Sequence, residues 1–186
     1  VAEAFNEFLT FKLGKEEFAI AIDRVQEIRG WQEPSPLPNV PAYVKGVIDI
    51  RGTIVPILDL RERFHMKAEF KATTVVIVVN LATRQGERIV GLVVDAVSDV
   101  HQFDMNALQA PPDISNSIDT QYMQGLTTIY DQGSEAEANI QNESRIASEK
   151  VSKGRMVIVI DIDKLASEGL IEQVSNVDEA IPLRNG

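Results

Sequence analysis

The side chains that could do chemistry in this chain are few and poorly spaced for it. His65 and His101 are the only imidazoles, and neither stands in the His-Glu-x-x-His arrangement that brings two metal ligands to one helix face. A general base also needs a group to orient it, and neither histidine has a carboxylate partner visible in the spacing. Both read as ordinary surface or half-buried residues. Lys45-Gly46 and Arg51-Gly52 lack the further glycines of a phosphate-cradling loop. Asp59, Asp95, Asp161 and Asp163 could offer oxygens to a hard cation. An aspartate at the end of an apolar strand more simply caps the next turn through its side chain, and that structural role is favoured. No catalytic residue, cofactor site or metal site is therefore expected. An enzyme built on Asp95, His101 or His65 is the disfavoured alternative.

The elements that would have to position any site are short, β-rich and repeated. Phe18 to Ile28 returns as Val90 to Val100, with apolar, acidic and small positions in the same order. Val44 to Ile50 returns as Met123 to Ile129, placing Gly46 opposite Gly125, and Ile54 to Leu60 returns as Met156 to Ile162. Three weak matches in one order point to two similar half-domains, approximately 14–72 and 73–165, with strand exchange between them allowed. Strands are expected over 8–13, 17–22, 47–50, 54–58, 73–81, 88–95 and 155–162, joined by turns at 13–17 and 82–87. Many strands with short turns favour small barrels over a parallel sheet. The runs Thr74 to Val79 and Met156 to Ile160 are apolar at consecutive positions. Both faces of those strands should therefore meet other protein, as they would if one barrel packed on another.

The remaining segments are read more briefly. Residues 22–30 and 94–101 could hold turns or short strands, and Asp163 to Gly169 resembles a short helix ended by glycine. Pro34, Pro36, Pro38 and Pro41 fix an extended loop over 33–41. Residues 131–154 carry too few large aliphatics to bury a core and read as a flexible hairpin insertion. Residues 177–186 read as a tail.

Composition narrows the classes of function. With 186 residues and 44% hydrophobic content the chain can bury a core, and it has no cysteine for disulfide or thiolate zinc sites. A net charge of -10 opposes phosphate binding, so a nucleic-acid partner is not expected. Basic residues lie among acids, as in Arg61-Glu62-Arg63, and read as a solvated surface. No apolar run approaches the roughly 20 residues that span a bilayer, so direct membrane insertion is not expected either.

The ordered blocks resemble the CheW-like family of chemotaxis coupling proteins. The resemblance rests on Glu7 to Gly14, Val25 to Gly30, Pro41 to Gly46, Ile50 to Arg61, Gly91 to Val100 and Tyr122 to Gly125. It implies an all-β fold of two intertwined five-stranded SH3-like barrels with short peripheral helices, covering 1–176. It also implies a noncatalytic adaptor, without cofactor, that links the cytoplasmic hairpin tips of chemoreceptors to the regulatory domain of the histidine kinase CheA. Other CheW-like domains are further implied partners, and the implied location is cytoplasmic, at membrane-associated receptor arrays.

By position, Val25, Glu27 and Gly46 match family sites tied to receptor or kinase coupling, and Arg51 matches the arginine of a Leu-Arg-Gly signature. Val25 would add apolar contact and Gly46 close approach. Arg51 would either fork onto a partner carboxylate or clamp the barrel junction internally, and the internal clamp is slightly favoured. A loop tied to a kinase contact of the array matches Gln109 to Ile114. There Asp113 keeps the acidic position, Gln109 stands where a basic residue is common and Ile114 where an aromatic is. An alternative makes the chain a CheW-like module of a larger chemotaxis protein, such as a receiver-containing adaptor. Val1 and the polar tail motivate it.

Overall fold

The computed structural model describes residues 5–83, 85–110, 122–130 and 154–165. Its ten strands are β1 (Phe5–Leu13), β2 (Glu16–Ala21), β3 (Val25–Gly30), β4 (Val44–Ile50), β5 (Thr53–Asp59), β6 (Val75–Thr83), β7 (Gly86–Val94), β8 (Ala96–Asp104), β9 (Met123–Tyr130) and β10 (Gly154–Ile160). Two single-turn helices, α1 (Leu60–Arg63) and α2 (Ile162–Leu165), follow β5 and β10. Gly154, read from sequence as the end of the insertion, instead opens β10 and pairs with Tyr130.

The strands form two five-stranded sheets, ordered β8-β1-β2-β10-β9 and β3-β6-β7-β5-β4. The repeat matches β2 and β3 with β7 and β8, and β4 and β5 with β9 and β10. Exchanging each strand for its counterpart, with β1 for β6, converts one order into the other. The single parallel pairing of each sheet, β10 with β2 and β5 with β7, also matches. Each half of the repeat gives strands to both sheets, because the chain crosses between them at residues 22–24, after β2, and again at Asp95, after β7.

Each sheet curls until the chain leaving one edge reaches the other. After β3, Ser35 forms a two-bond bridge to Val47 of β4, and after β8, Gln109 does the same with Leu126 of β9. These bridges close the two barrels. The proline-rich segment is thus the closing loop of its barrel, where the missing donors of proline limit it to a short bridge.

The core that each side chain enters alternates along the strands that the sequence left apolar on both faces. In β6, Val76 and Val78 enter the interior of one barrel with Ile57 and Val93, while Ile77 and Val79 enter a central core shared by both sheets. In β10, Val157 and Val159 fill the other barrel with Phe8, while Ile158 and Ile160 join the same central core. Phe11, Phe18 and Phe64 stack across this core, with ring centroids about 6 Å apart in sequence order. A strand with period-two burial and two apolar faces therefore serves two hydrophobic cores at once.

Candidate functional site

Glu27 and Arg51 come together on the surface of the first-closed barrel. Arg51 and Gly52 are the two central residues of the β4–β5 hairpin, at φ of +50° and +85°. Positive φ at both positions is the type I′ geometry that matches the twist of the flanking strands. Gly52 adopts it freely and donates its N–H to Asp49 Oδ1 at 2.7 Å. Arg51 adopts it against the clash of its own Cβ. Its side chain is 75% exposed and reaches Glu27 Oε2 with Nη1 at 3.3 Å. Arg29 Nη1 approaches the other oxygen of Glu27 at 3.5 Å. One carboxylate thus stands between two guanidinium groups, leaving a local excess of positive charge. Arg51 makes one internal bond, to Glu27 at the surface, and the I′ turn aims the rest of its side chain outward, away from the barrel junction.

Val25 opens β3 half-buried against the central core. Gly46 is buried, at φ of +137°, where β4 bulges against β5. A Cβ there would lie 2.0 Å from the carbonyl oxygen of Ser35 and 3.1 Å from the Cα of Pro36. The close approach that requires glycine at this site comes from the protein's own closing loop. Its counterpart Gly125 sits beneath Leu108 and Gln109 in the same way. Gln109 itself is exposed, with its backbone spent on the bridge to Leu126. Asp113 and Ile114 lie outside the described residues.

Arg61 was missed by the sequence reading. It is wholly buried rather than part of a solvated run. Its Nε and Nη2 fork onto the two oxygens of Asp59 at 3.0 Å each, Nη1 donates to Asp95 Oδ1 at 2.9 Å, and Nη1 also reaches the Glu69 carbonyl at 2.6 Å. Burial works against its charge, but the bonds to Asp59 and Asp95 outweigh it and raise the pKa above the ordinary arginine value. Asp59 also caps α1 through the Arg61 N–H, so the turn-cap reading of Asp59 describes part of its work. Asp95 caps a turn distant in sequence, accepting from the Gly14 N–H at 2.6 Å. No spacing rule joins these positions, since the fold gathers them from three separate turns.

A third feature marks the junction. Arg63 lies over the rings of Tyr43 and Tyr122, 5.7 Å and 5.4 Å from their centroids, and donates to the Tyr122 hydroxyl at 3.0 Å. The two tyrosines occupy matching repeat positions, and their carbonyls accept from the matching Asp59 and Asp161 N–H groups.

His65 is exposed on the turn after α1, and His101 is half-buried and stacked on Phe103. Among the described residues no group of three or more acidic or imidazole side chains could hold a metal ion, and no helix is long and apolar enough to cross a membrane.

The comparison with known proteins accords with this geometry. A family model described as CheW-like domain matches residues 7–169. The chain belongs to the CheW-like domain family. It is 37% identical to a chemotaxis protein CheW of Klebsiella aerogenes over 173 residues, which cover 92% of this chain and 88% of that one. A CheW of Rhizobium meliloti is 40% identical over 124 residues, covering 67% of this chain and 78% of the relative. In fold, the chain resembles the scaffolding protein TtCheW of Thermoanaerobacter tengcongensis at a TM-score of 0.67 and 24% identity, with 88% of this chain and 89% of that one covered. The paired five-stranded sheets are thus the CheW-like fold, reached independently through the duplication.

Proposed function

We propose that this CheW-like chain is a noncatalytic chemotaxis adaptor, coupling the cytoplasmic tips of chemoreceptors to the regulatory domain of the kinase CheA. The match of the family model across residues 7–169 carries this reading. Acting as a scaffold, the protein would hold partners in register, and several weak contacts in an array would add through multivalency. Its place would be cytoplasmic, at arrays of membrane receptors, with other CheW-like domains as neighbours.

The face carrying Glu27, Arg29 and Arg51 is the best-supported coupling surface. A bulky cation held at positive φ is a strained choice where glycine or asparagine would fit, and such strain clusters at working surfaces. Arg51 offers a planar fork for a partner carboxylate. Val25 and Gly46 support that face from below: Val25 anchors β3 on the central core, and Gly46 keeps the closing loop seated. The loop that contains Gln109, Asp113 and Ile114 is assigned to a kinase contact, with Gln109 supplying hydrogen bonding in place of charge.

Titration of the folded chain with a soluble receptor hairpin, and separately with the kinase regulatory domain, tests the reading. Binding to both is expected. A folded sample that binds neither would remove it.

A further inference from the structure

The mouth of the other barrel, built on β1, β2 and β10, contains a buried carboxylate that the fold does not satisfy. Glu17 is the second residue of β2, paired directly with Lys12 of β1 and with Val157 of β10. Paired residues in a sheet project to the same face, and Val157 belongs to the barrel interior. Glu17 therefore stands at the end of that interior, with its side chain only 8% exposed. Its Oε2 accepts from Arg155 Nε at 3.0 Å, whereas its Oε1 is buried with no hydrogen-bond donor among the described residues. The repeat counterpart in the first barrel is Ile89, which packs apolar atoms there. An unpaired oxygen on a buried carboxylate is costly, and the first barrel shows that the fold does not require one.

This carboxylate lines an open cavity of about 550 Å3, together with Lys12, Gly14, Lys15, Glu16, Arg155, Met156 and Ile158. The three basic side chains outnumber the two acidic ones, although the whole chain carries a net charge of -10. Among the described residues Lys12 and Lys15 form no ion pair, unlike Lys45, Lys67 and Lys71. The cavity therefore asks for two things at once, an anion at the rim and a hydrogen-bond donor at the depth of Glu17. A simple anion meets the first demand and is repelled at the second. An amine or guanidinium meets the second and is repelled by Lys12 and Lys15. A peptide carrying a carboxylate next to an amide N–H meets both.

We propose that the mouth of this barrel docks a short acidic segment of a partner protein, with its carboxylate between Lys12 and Lys15 and a neighbouring N–H donating to Glu17 Oε1. The site is separate from the Arg51 face, so a partner held there would leave that face open. A test uses the full chain, labelled with 15N and titrated with acetyl-Asp-Gln-amide. A peptide this small is expected to bind in the millimolar range, so about 20 mM should approach saturation. Saturable shifts are expected at the Gly14, Lys15, Glu16 and Met156 amides. Acetyl-Lys-Gln-amide and inorganic phosphate, at equal concentration, should leave those amides nearly still. Combined Lys12→Gln and Lys15→Gln substitution, confined to exposed side chains, should weaken the acidic peptide by about ten-fold or more. Glu17→Ile, which copies the first barrel, should erase the preference for the peptide over phosphate. The proposal fails if no saturable shift occurs, if phosphate or the lysine peptide shifts the same amides equally, or if the double lysine variant binds unchanged.

Discussion

Arg61 donates to Asp95 across 2.9 Å and so ties α1 to the crossover between the two sheets. At the matching place in the other half, Arg24 donates to Asp163 across 2.6 Å, tying the other crossover to α2. The charges have changed sides: the helix supplies the cation in one half and the anion in the other. In both cases the carboxylate also accepts a backbone N–H near the end of a hairpin strand, Gly14 to Asp95 and Ala82 to Asp163. The duplicated fold has thus kept a clamp on each crossover while exchanging the residues that make it.

The two clamps should differ sharply in energy. Arg61 and Asp59 are wholly buried, so Arg61→Met strands a carboxylate out of water and should cost about 3–5 kcal/mol. Arg24 and Asp163 are 33% and 38% exposed, and water can replace the lost partner. Arg24→Met should cost about 0–1 kcal/mol. Urea denaturation of the two variants measures both. Equal losses would contradict the assignment of the buried clamp as the structural one.

Gly46→Ala should displace the closing loop. The added methyl meets backbone at 2.0 Å, and φ of +137° is closed to other residues, so nothing short of moving Ser35 relieves it. A loss of about 2 kcal/mol or more is expected. Gly125→Ala meets the Cβ of Leu108 at 2.8 Å and the Gln109 carbonyl at 3.1 Å, a milder clash than at Gly46 and without a positive φ. Its loss should be nearer 1 kcal/mol. Amide exchange at Val47 and Leu126, the bridge residues, would report each loop directly.

Features carried by one stretch of chain were legible in the sequence. The order of apolar, acidic and glycine positions exposed the duplication, and the consecutive apolar residues of β6 and β10 announced strands packed on both faces. The edge strands β3 and β8 were harder to read because half of their residues face solvent and their apolar content is low. The β9 strand went unread even though its repeat partner was recognised. Arg61 was hidden for a different reason. Its ligands come from the end of β5, from the second crossover and from the loop holding Glu69, and no local pattern announces that meeting. Arg51 could have been placed better from its neighbours. Two residues ending in glycine between the β-rich runs Val47 to Ile50 and Ile54 to Leu58 already indicate a tight hairpin, where a side chain points out.

Substitution at Arg51 should separate stability from coupling. Arg51→Gly removes a strained residue from an I′ turn, so the unfolding free energy should stay within about 1 kcal/mol of the parent. Affinity for the partner that uses this face should fall about ten-fold or more, the loss of a charge-assisted contact. Arg51→Lys keeps the charge without the fork and should restore only part of it. Calorimetric titration alongside urea unfolding distinguishes the cases. Full affinity in Arg51→Gly would move the coupling surface elsewhere.

The tyrosine pair around Arg63 makes alkaline stability informative. Burial raises the pKa of Tyr43 above its ordinary 10.0, the Arg63 charge opposes that rise, and Tyr122 adds to it. A phenol whose pKa is higher in the folded state binds more protons there than when unfolded. Stability should therefore be intact below pH 10 and decline as pH rises from the unfolded value toward the folded one. Tyr43→Phe, which cannot ionise, should flatten that decline. Arg63→Met removes the opposing charge and should push the Tyr43 transition still higher in a phenolate absorbance titration. A downward shift in that variant would show that the cation does not govern the pair.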